Sequence, residues 1–244
     1  MKNENPDSNA ELAEYWARAA TPCGKASLVA RARSKRIAWK TVIGTAIALK
    51  RIFDLVVSSV ALITLSPIFA ITSVLIKVED PGPVFFRQNR VGLKGRLFLI
   101  WKFRSMINDA EKVAQRMIEQ RQAEDTIAMK LAGDPRITRV GRVIRKYSID
   151  ELPQFWNVLT GSMSIVGPRP VVPAEVAEYT VEDRQRLLAK PGLTCFWQVG
   201  GRTDLDFENQ VRLDIEYIRS TSLWLDIKRL FQTVPAVLLG KGAY

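Results

Sequence analysis

The stretch LVVSSVALITLSPIFAITSVLI, residues 55–76, contains no charged side chain, yet Ser66-Pro67 interrupts it near its middle and Lys and Arg crowd both its ends. As one straight helix its 22 residues would measure about 33 Å, matching a bilayer hydrocarbon core of roughly 30 Å. The flanks argue against a simple crossing. Arg31, Arg33, Lys35, Arg36, Lys40, Lys50 and Arg51 precede the run, and Lys77, Arg87, Arg90, Lys94, Arg96, Lys102 and Arg104 follow it. Lys and Arg mark the cytoplasmic flank of a membrane segment, so both ends claim one side. Pro67 has no N–H for the Ile63 carbonyl, and its ring presses on that turn, which predicts a sharp bend. The pattern predicts a re-entrant helix-break-helix, broken at Ser66 and Pro67, that enters and leaves by the same face.

Working outward, the 244 residues are 47% hydrophobic, enough for one good-sized core with a membrane attachment. The net charge of +11 is uneven, because residues 21–51 hold eight Lys or Arg and no acid. Beside an apolar segment such a block suits an anionic leaflet, where each basic residue contributes about 1 kcal/mol. Nucleic acid, the rival partner, is ranked last for that reason. Two cysteines, Cys23 and Cys195, supply neither a disulfide framework nor a zinc site. With no histidine, Ser-His-Asp, Cys-His and His-zinc chemistry are excluded, leaving carboxylates, Lys, Arg, Tyr and a hard metal such as Mg²⁺. The apolar run starts about fifty residues in and lacks a small-residue cleavage site, so it is not read as a cleaved signal.

Residues 27–50 mix small apolar and basic side chains, either an amphipathic surface helix or a solvated linker. After the run, Glu79-Asp80-Pro81-Gly82-Pro83 signals a turn, and Val84–Arg87 and Leu97–Phe103 read as strands of a hairpin joined through Gly92 and Gly95. Asn108–Ala132 has helical composition. A short helix from Thr138 breaks at Tyr147-Ser148 and restarts at Asp150, and Asp206–Arg219 and Leu223–Leu239 read as closing helices.

Chemistry concentrates at Ser148-Ile149-Asp150-Glu151-Leu152-Pro153-Gln154, where two adjacent carboxylates stand at a helix start. One reading is capping: Ser148 with Glu151 has capping-box spacing, or Asp150 is itself the N-cap. The other is a phosphate site. Arg139, Arg142, Arg145 and Lys146 precede the pair, and the Pro168-Arg169-Pro170 turn follows it. Arginines near a helix N-terminus gather phosphate, and carboxylates inside a phosphate site hold Mg²⁺ or attack phosphorus.

Six segments in order, Lys50-Arg51-Ile52-Phe53-Asp54 before the broken apolar helix, Lys102-Phe103-Arg104-Ser105-Met106, Asp134-Pro135-Arg136-Ile137-Thr138, Asp150-Glu151-Leu152-Pro153-Gln154, Val166-Gly167-Pro168-Arg169-Pro170, and Pro191-Gly192-Leu193-Thr194 with Trp197-Gln198-Val199, resemble the bacterial sugar transferases, the monotopic phosphoglycosyl transferases. The resemblance runs from about Lys50 to Tyr244. It implies transfer of a sugar 1-phosphate from a UDP-sugar to undecaprenyl phosphate with release of UMP, a membrane-committed step of surface glycan synthesis. It implies Asp150 as nucleophile on the β-phosphorus and Glu151 as its partner for Mg²⁺ or proton handling, with a phosphosugar-aspartate intermediate. Direct attack, with the dyad only holding metal, uses the same residues. Lys102, Arg104, Arg145, Arg169, Pro170 and Asp214 are implied as phosphate, nucleotide or metal contacts. Against four of them stands a plainer role: Lys102 and Arg104 ending a strand in water, Arg145 on a solvated helix face, Asp214 pairing with Arg212 or Lys228. Asp226 reads as structural, while Phe196, Trp197 and Trp224 read as an interfacial belt or as core.

The resulting expectation is an α+β fold, mainly helical, with a small antiparallel β-hairpin, the re-entrant membrane helix and interfacial amphipathic helices. Residues 1–49 would form a basic extension, 50–78 the membrane element, and 79–244 a catalytic domain on the cytoplasmic face of the bacterial inner membrane. Only some fifty residues precede the motif region, as in compact members, and the 109–134 stretch leans toward a hexose 1-phosphate such as glucose or galactose. The oligomeric state is left open, a homodimer included. A second reading, from a different class, is a non-catalytic basic membrane adaptor or scaffold whose dyad caps a helix.

Overall fold

The computed structural model describes residues 16–17, 19–113, 115, 134–195, 197 and 205–238. The chain divides into two compact units, residues 1–50 and 51–244. In the first, none of the described residues is buried, and Val29, Ile37, Trp39, Val42, Ile43, Ile47 and Leu49 are exposed along helix.

Helix α1 (Pro22–Thr64) continues into the second unit, and α2 (Ser66–Glu79) follows after one residue, Leu65, with a 58° bend between them. The bend falls where Pro67 withholds its N–H. The Ile63 carbonyl that this would orphan accepts from Ser66 Oγ at 2.8 Å instead, so serine and proline make the break together. Among the described residues no single helix is long and apolar enough to cross a membrane, though the bent pair meets that test jointly. Val56, Val60, Ile63, Ile71 and Val74 are each more than half exposed.

This bent pair is fastened to the rest of the unit on both sides of its break. In the later part of α1, Asp54 is buried and accepts from Ser164 Oγ (3.0 Å) and the Ile165 amide (2.9 Å). Arg51 donates to the carbonyls of Val158 (2.7 Å) and Leu159 (2.8 Å). At its end, the Glu79 carboxylate accepts from the amides of Arg139 (2.7 Å) and Val140 (2.8 Å), the free N–H groups opening the next helix.

The hairpin forms as expected: β1 (Phe85–Val91) and β2 (Leu97–Phe103) pair antiparallel, Phe86 opposite Lys102 and Arg90 opposite Phe98. Strand β1 extends past Arg87 to Val91, and the turn runs through Gly92 and Gly95, with Gly95 at φ +77°. Of the helix expected over 108–132, residues 110–113 and 115 are helical and the rest lies outside the described residues. Next come α3 (Arg139–Lys146), α4 (Gln154–Thr160), β3 (Ser164–Val166), α5 (Pro173–Ala177), β4 (Gly192–Thr194), α6 (Phe207–Ser220) and α7 (Leu223–Leu238). The closing helices fall within a residue of their expected bounds, and the Asp206 side chain caps α6 through the Asn209 amide at 3.0 Å.

The parallel pairing of β3 with β4 was not anticipated. It depends on glycine: a Cβ on Gly192 would overlap the Gly167 backbone, and one on Gly167 would overlap the Lys190 carbonyl. The fold is therefore α+β, with two small two-stranded sheets among the described residues. Its main core gathers Ile100, Val158, Met163, Ile165, Val166 and Tyr217, with Phe53 and Val57 of α1 packed against it. A second cluster joins Ile76 of α2 to Phe103 and Ile144.

Candidate active site

The dyad sits between α3 and α4 because the chain reverses sharply there. Thr138 caps α3 by accepting from the Gly141 amide (2.8 Å), and α3 runs only to Lys146. Ser148 then adopts a left-handed conformation, φ +52°, and turns Ile149–Glu151 into a single 3₁₀ turn. A non-glycine residue there costs about 1 kcal/mol or more, offset where Ile149 packs against Phe103 and Ile144. Neither capping arrangement read from the sequence forms: Ser148 makes no side-chain cap, and the N-cap of α4 is Pro153. That leaves Asp150 and Glu151 free of a helix-capping duty.

Both carboxylates line a cleft of about 200 Å³, together with Arg90, Lys102, Arg145 and Arg169. Lys102 lies on the inner face of the hairpin, its Nζ 2.7 Å from Glu151 Oε1. Arg145 comes from the last turn of α3, and Arg169 from the Pro168-Arg169-Pro170 turn after β3. That turn is fixed to the hairpin: Val91 N–H donates to the Val171 carbonyl (2.9 Å) and Arg90 Nη1 to the Pro170 carbonyl (3.2 Å). Burial raises the Asp150 carboxyl to about 6, the neighbouring Glu151 charge adds to the rise, and Lys102 and Arg145 pull against it. The group is thus ionised at neutral pH but titrates within reach of it.

This arrangement can hold a multiply charged phosphate ester against a carboxylate nucleophile, since four cations offset the repulsion between carboxylate and phosphoryl oxygens. Among the described residues no group of three or more Asp, Glu or Cys could cage a metal ion. Two adjacent carboxylates still suit Mg²⁺, which takes one or two carboxylates and completes its shell with water and substrate phosphate.

Lys102, Arg145, Arg169 and Pro170 therefore meet at the dyad. Arg104 does not line the cleft. It is 7% exposed, and its guanidinium bonds the Asp80 carbonyl and Asn108 Oδ1, with the Asp80 carboxylate at 3.6 Å. Asp214 is not a surface acid paired with Arg212 or Lys228. It is buried in an ion pair with Arg186, which also donates to Tyr179 Oη at 2.9 Å. Burial lifts its carboxyl to about 6 against the pull of Arg186, Trp197 and Arg169. Asp226 is structural, accepting from the buried Tyr217 hydroxyl at 2.8 Å. Trp197 is buried and lines the cleft, Trp224 is exposed, and Phe196, Gln198 and Val199 lie outside the described residues. Arg90 and Gln154, both in the lining, carry no expected role; strand alternation could have found Arg90, because the pairing of residue 86 with 102 puts it on the face of Lys102.

Residues 45–240 match the family model described as "Bacterial sugar transferase". The chain is 42% identical over 198 residues to the exopolysaccharide production protein ExoY of Sinorhizobium fredii, covering 80% of this chain and 88% of that protein. It is 45% identical over 203 residues to an undecaprenyl-phosphate galactose phosphotransferase of Salmonella typhimurium, covering 80% of this chain and 42% of that one. It is also 41% identical over 205 residues to the UDP-glucose:undecaprenyl-phosphate glucose-1-phosphate transferase of Escherichia coli, covering 80% and 41%. The chain spans about two-fifths of the length of these last two relatives. With the match extending from within α1, ahead of the break, through the dyad to the closing helix, the chain belongs to the bacterial sugar transferase family.

Proposed function

We propose that the chain transfers a hexose 1-phosphate from a UDP-sugar to undecaprenyl phosphate and releases UMP, initiating a surface polysaccharide or glycoconjugate. The observation that carries this reading is the partly buried Asp150 carboxyl facing a cleft lined by Arg90, Lys102, Arg145 and Arg169. Family membership supports it, as do relatives whose names specify UDP-glucose or galactose and undecaprenyl phosphate.

In the proposed mechanism an Asp150 carboxylate oxygen attacks the β-phosphorus. The bond from that phosphorus to the bridging oxygen breaks, and UMP leaves with the electron pair. A phosphate oxygen of the lipid then attacks the same phosphorus and releases the Asp150 carboxylate, so one site serves a soluble and a lipid substrate in turn. Glu151, held by Lys102, faces the same cleft as a second carboxylate. Mg²⁺ held by Asp150 and Glu151 would neutralise charge on the diphosphate. Arg145, Arg169 and Arg90 orient the phosphoryl oxygens.

The lipid substrate sets the location. The exposed apolar side chains between Val56 and Val74 suit a hydrocarbon surrounding, and the 58° bend suits an element that dips in and returns to the cytoplasmic face of the inner membrane. Trp224 and Phe231, seven residues apart on one side of α7 and both about three-quarters exposed, suit insertion at the headgroups.

The test is UMP release by the full chain from UDP-glucose or UDP-galactose, dependent on both undecaprenyl phosphate and Mg²⁺. Trapping radiolabelled hexose phosphate on the protein without lipid, with loss of label in Asp150→Asn, supports the covalent route. Full activity in Asp150→Asn would overturn the nucleophile assignment.

A further inference from the structure

Gln154 opens α4, is 2% exposed, and lines the same cleft as Asp150, yet neither atom of its amide has a hydrogen-bond partner among the described residues. Neither amide atom is among the fully buried unpartnered ones, so the amide opens into the cleft, where a ligand can reach it. Its neighbour one turn on, Asn157, shows the ordinary case: it donates to the Leu99 carbonyl (2.7 Å) and accepts from the Trp101 amide (2.9 Å).

The same contacts locate Gln154 within the cleft. Asn157 clamps β2 at residues 99 and 101, and Glu151 holds Lys102 at 2.7 Å. Between these two attachments Ile100 contributes to the lining from the strand and Gln154 from the helix. Both of these contributions to the wall are uncharged. They stand about 5 Å along the helix and about 7 Å along the strand from the Lys102–Glu151 pair. Phosphate oxygens only accept, and the surrounding cations serve them. A hydroxyl both donates and accepts, as an amide does.

We infer that Gln154 is a binding contact for a hydroxyl of the hexose carried on the reacting phosphorus, an assignment that rests on the proposed function. The Gln154 amide then faces the solvent of the cleft in the free protein and bonds the sugar when substrate is in place.

The test compares full-chain Gln154→Met and Gln154→Leu with wild type in three measurements: kcat/KM for UDP-glucose and UDP-galactose with undecaprenyl phosphate and Mg²⁺, Kd for UDP, which lacks the sugar, and Tm. The expected result is a fall in kcat/KM of about tenfold or more, an unaltered Kd for UDP, and a Tm equal to or above wild type. A merely structural glutamine would not give loss of activity together with gained stability. Unchanged kcat/KM, an equal loss of UDP affinity, or a lowered Tm in both variants would each overturn the inference while leaving the transferase reading intact. Wild-type protein that releases no UMP from either UDP-hexose would overturn that reading and this inference with it.

Discussion

Lys102 Nζ lies 2.7 Å from Glu151 Oε1, so the second carboxylate of the dyad reaches the cleft already paired, whereas Asp150 forms no ion pair among the described residues. Asp150 consequently carries the raised carboxyl, near 6, and Lys102 is one of the two charges restraining the rise. Replacing Lys102 by Met removes that restraint and leaves Glu151 unpaired beside Asp150. The acid limb of the kcat/KM profile, near pH 6 in wild type, should move to higher pH, with kcat/KM at neutral pH falling about ten- to a hundredfold. An unmoved acid limb would show that another group sets it.

Stability carries the same signature. Because the Asp150 value of about 6 stands above the ordinary 3.8, the folded protein binds this proton more tightly than the unfolded chain. Its contribution is full below about pH 4 and is lost as pH rises through about 6. Asp150→Asn should therefore match wild-type stability near pH 4 and exceed it at pH 7.5, by at most about 3 kcal/mol and less in proportion to the carboxyl's partial exposure. Denaturant melts at the two pH values decide this, and equal stability at both would contradict the burial argument.

Arg104 and Arg145 should separate cleanly although the family resemblance implies both as ligand contacts. Arg104 is 7% exposed and ties Asp80 to Asn108, so Arg104→Ala leaves buried polar partners unpaired and should cost about 3 kcal/mol. Arg145 lines the cleft, and Arg145→Ala should lower kcat/KM about tenfold or more with Tm nearly unchanged. The reverse pattern, measured by thermal melts beside UMP release, would exchange their roles.

What the sequence disclosed was mostly local. The hairpin is legible because strand residues flank Gly92 and Gly95, the bend because proline withholds an N–H, and α6 because Asp206 caps it. Pairings remote along the chain were illegible. Nothing in the neighbourhood of Asp214 points to Arg186, 28 residues away, and its nearer cations Arg212 and Lys228 proved irrelevant. The β3–β4 pair spans three residues a strand and rests on two glycines whose value appears only when the backbones meet. Capping was a reasonable reading of Ser148 and Glu151 from spacing, and the left-handed Ser148 defeated it.

The break at Ser66-Pro67 is held from both ends, since Asp54 bonds Ser164 and Ile165 while Glu79 caps α3. Ser66→Ala with Pro67→Ala would return a backbone donor to the Ile63 carbonyl and favour one straight helix. Straightening cannot keep both attachments. The double variant should lose Tm and more than about tenfold of activity, because α3 carries Arg145 and Asp54 steadies the chain after α4. Wild-type Tm and activity in that variant would show that the attachments alone impose the bend.

Membrane topology can be read on a native group, because Cys23 is exposed and Cys195 buried. If the apolar run turns back at Leu65, the basic residues before and after it share the cytoplasmic face, as the distribution of Lys and Arg requires. A membrane-impermeant maleimide should then leave Cys23 unlabelled in cells whose outer membrane alone is opened, and label it once the inner membrane is broken. Cys23→Ser supplies the blank. Labelling of Cys23 before the inner membrane is breached would place residues 21–51 across the bilayer from the dyad, and would replace the re-entrant element with a full crossing.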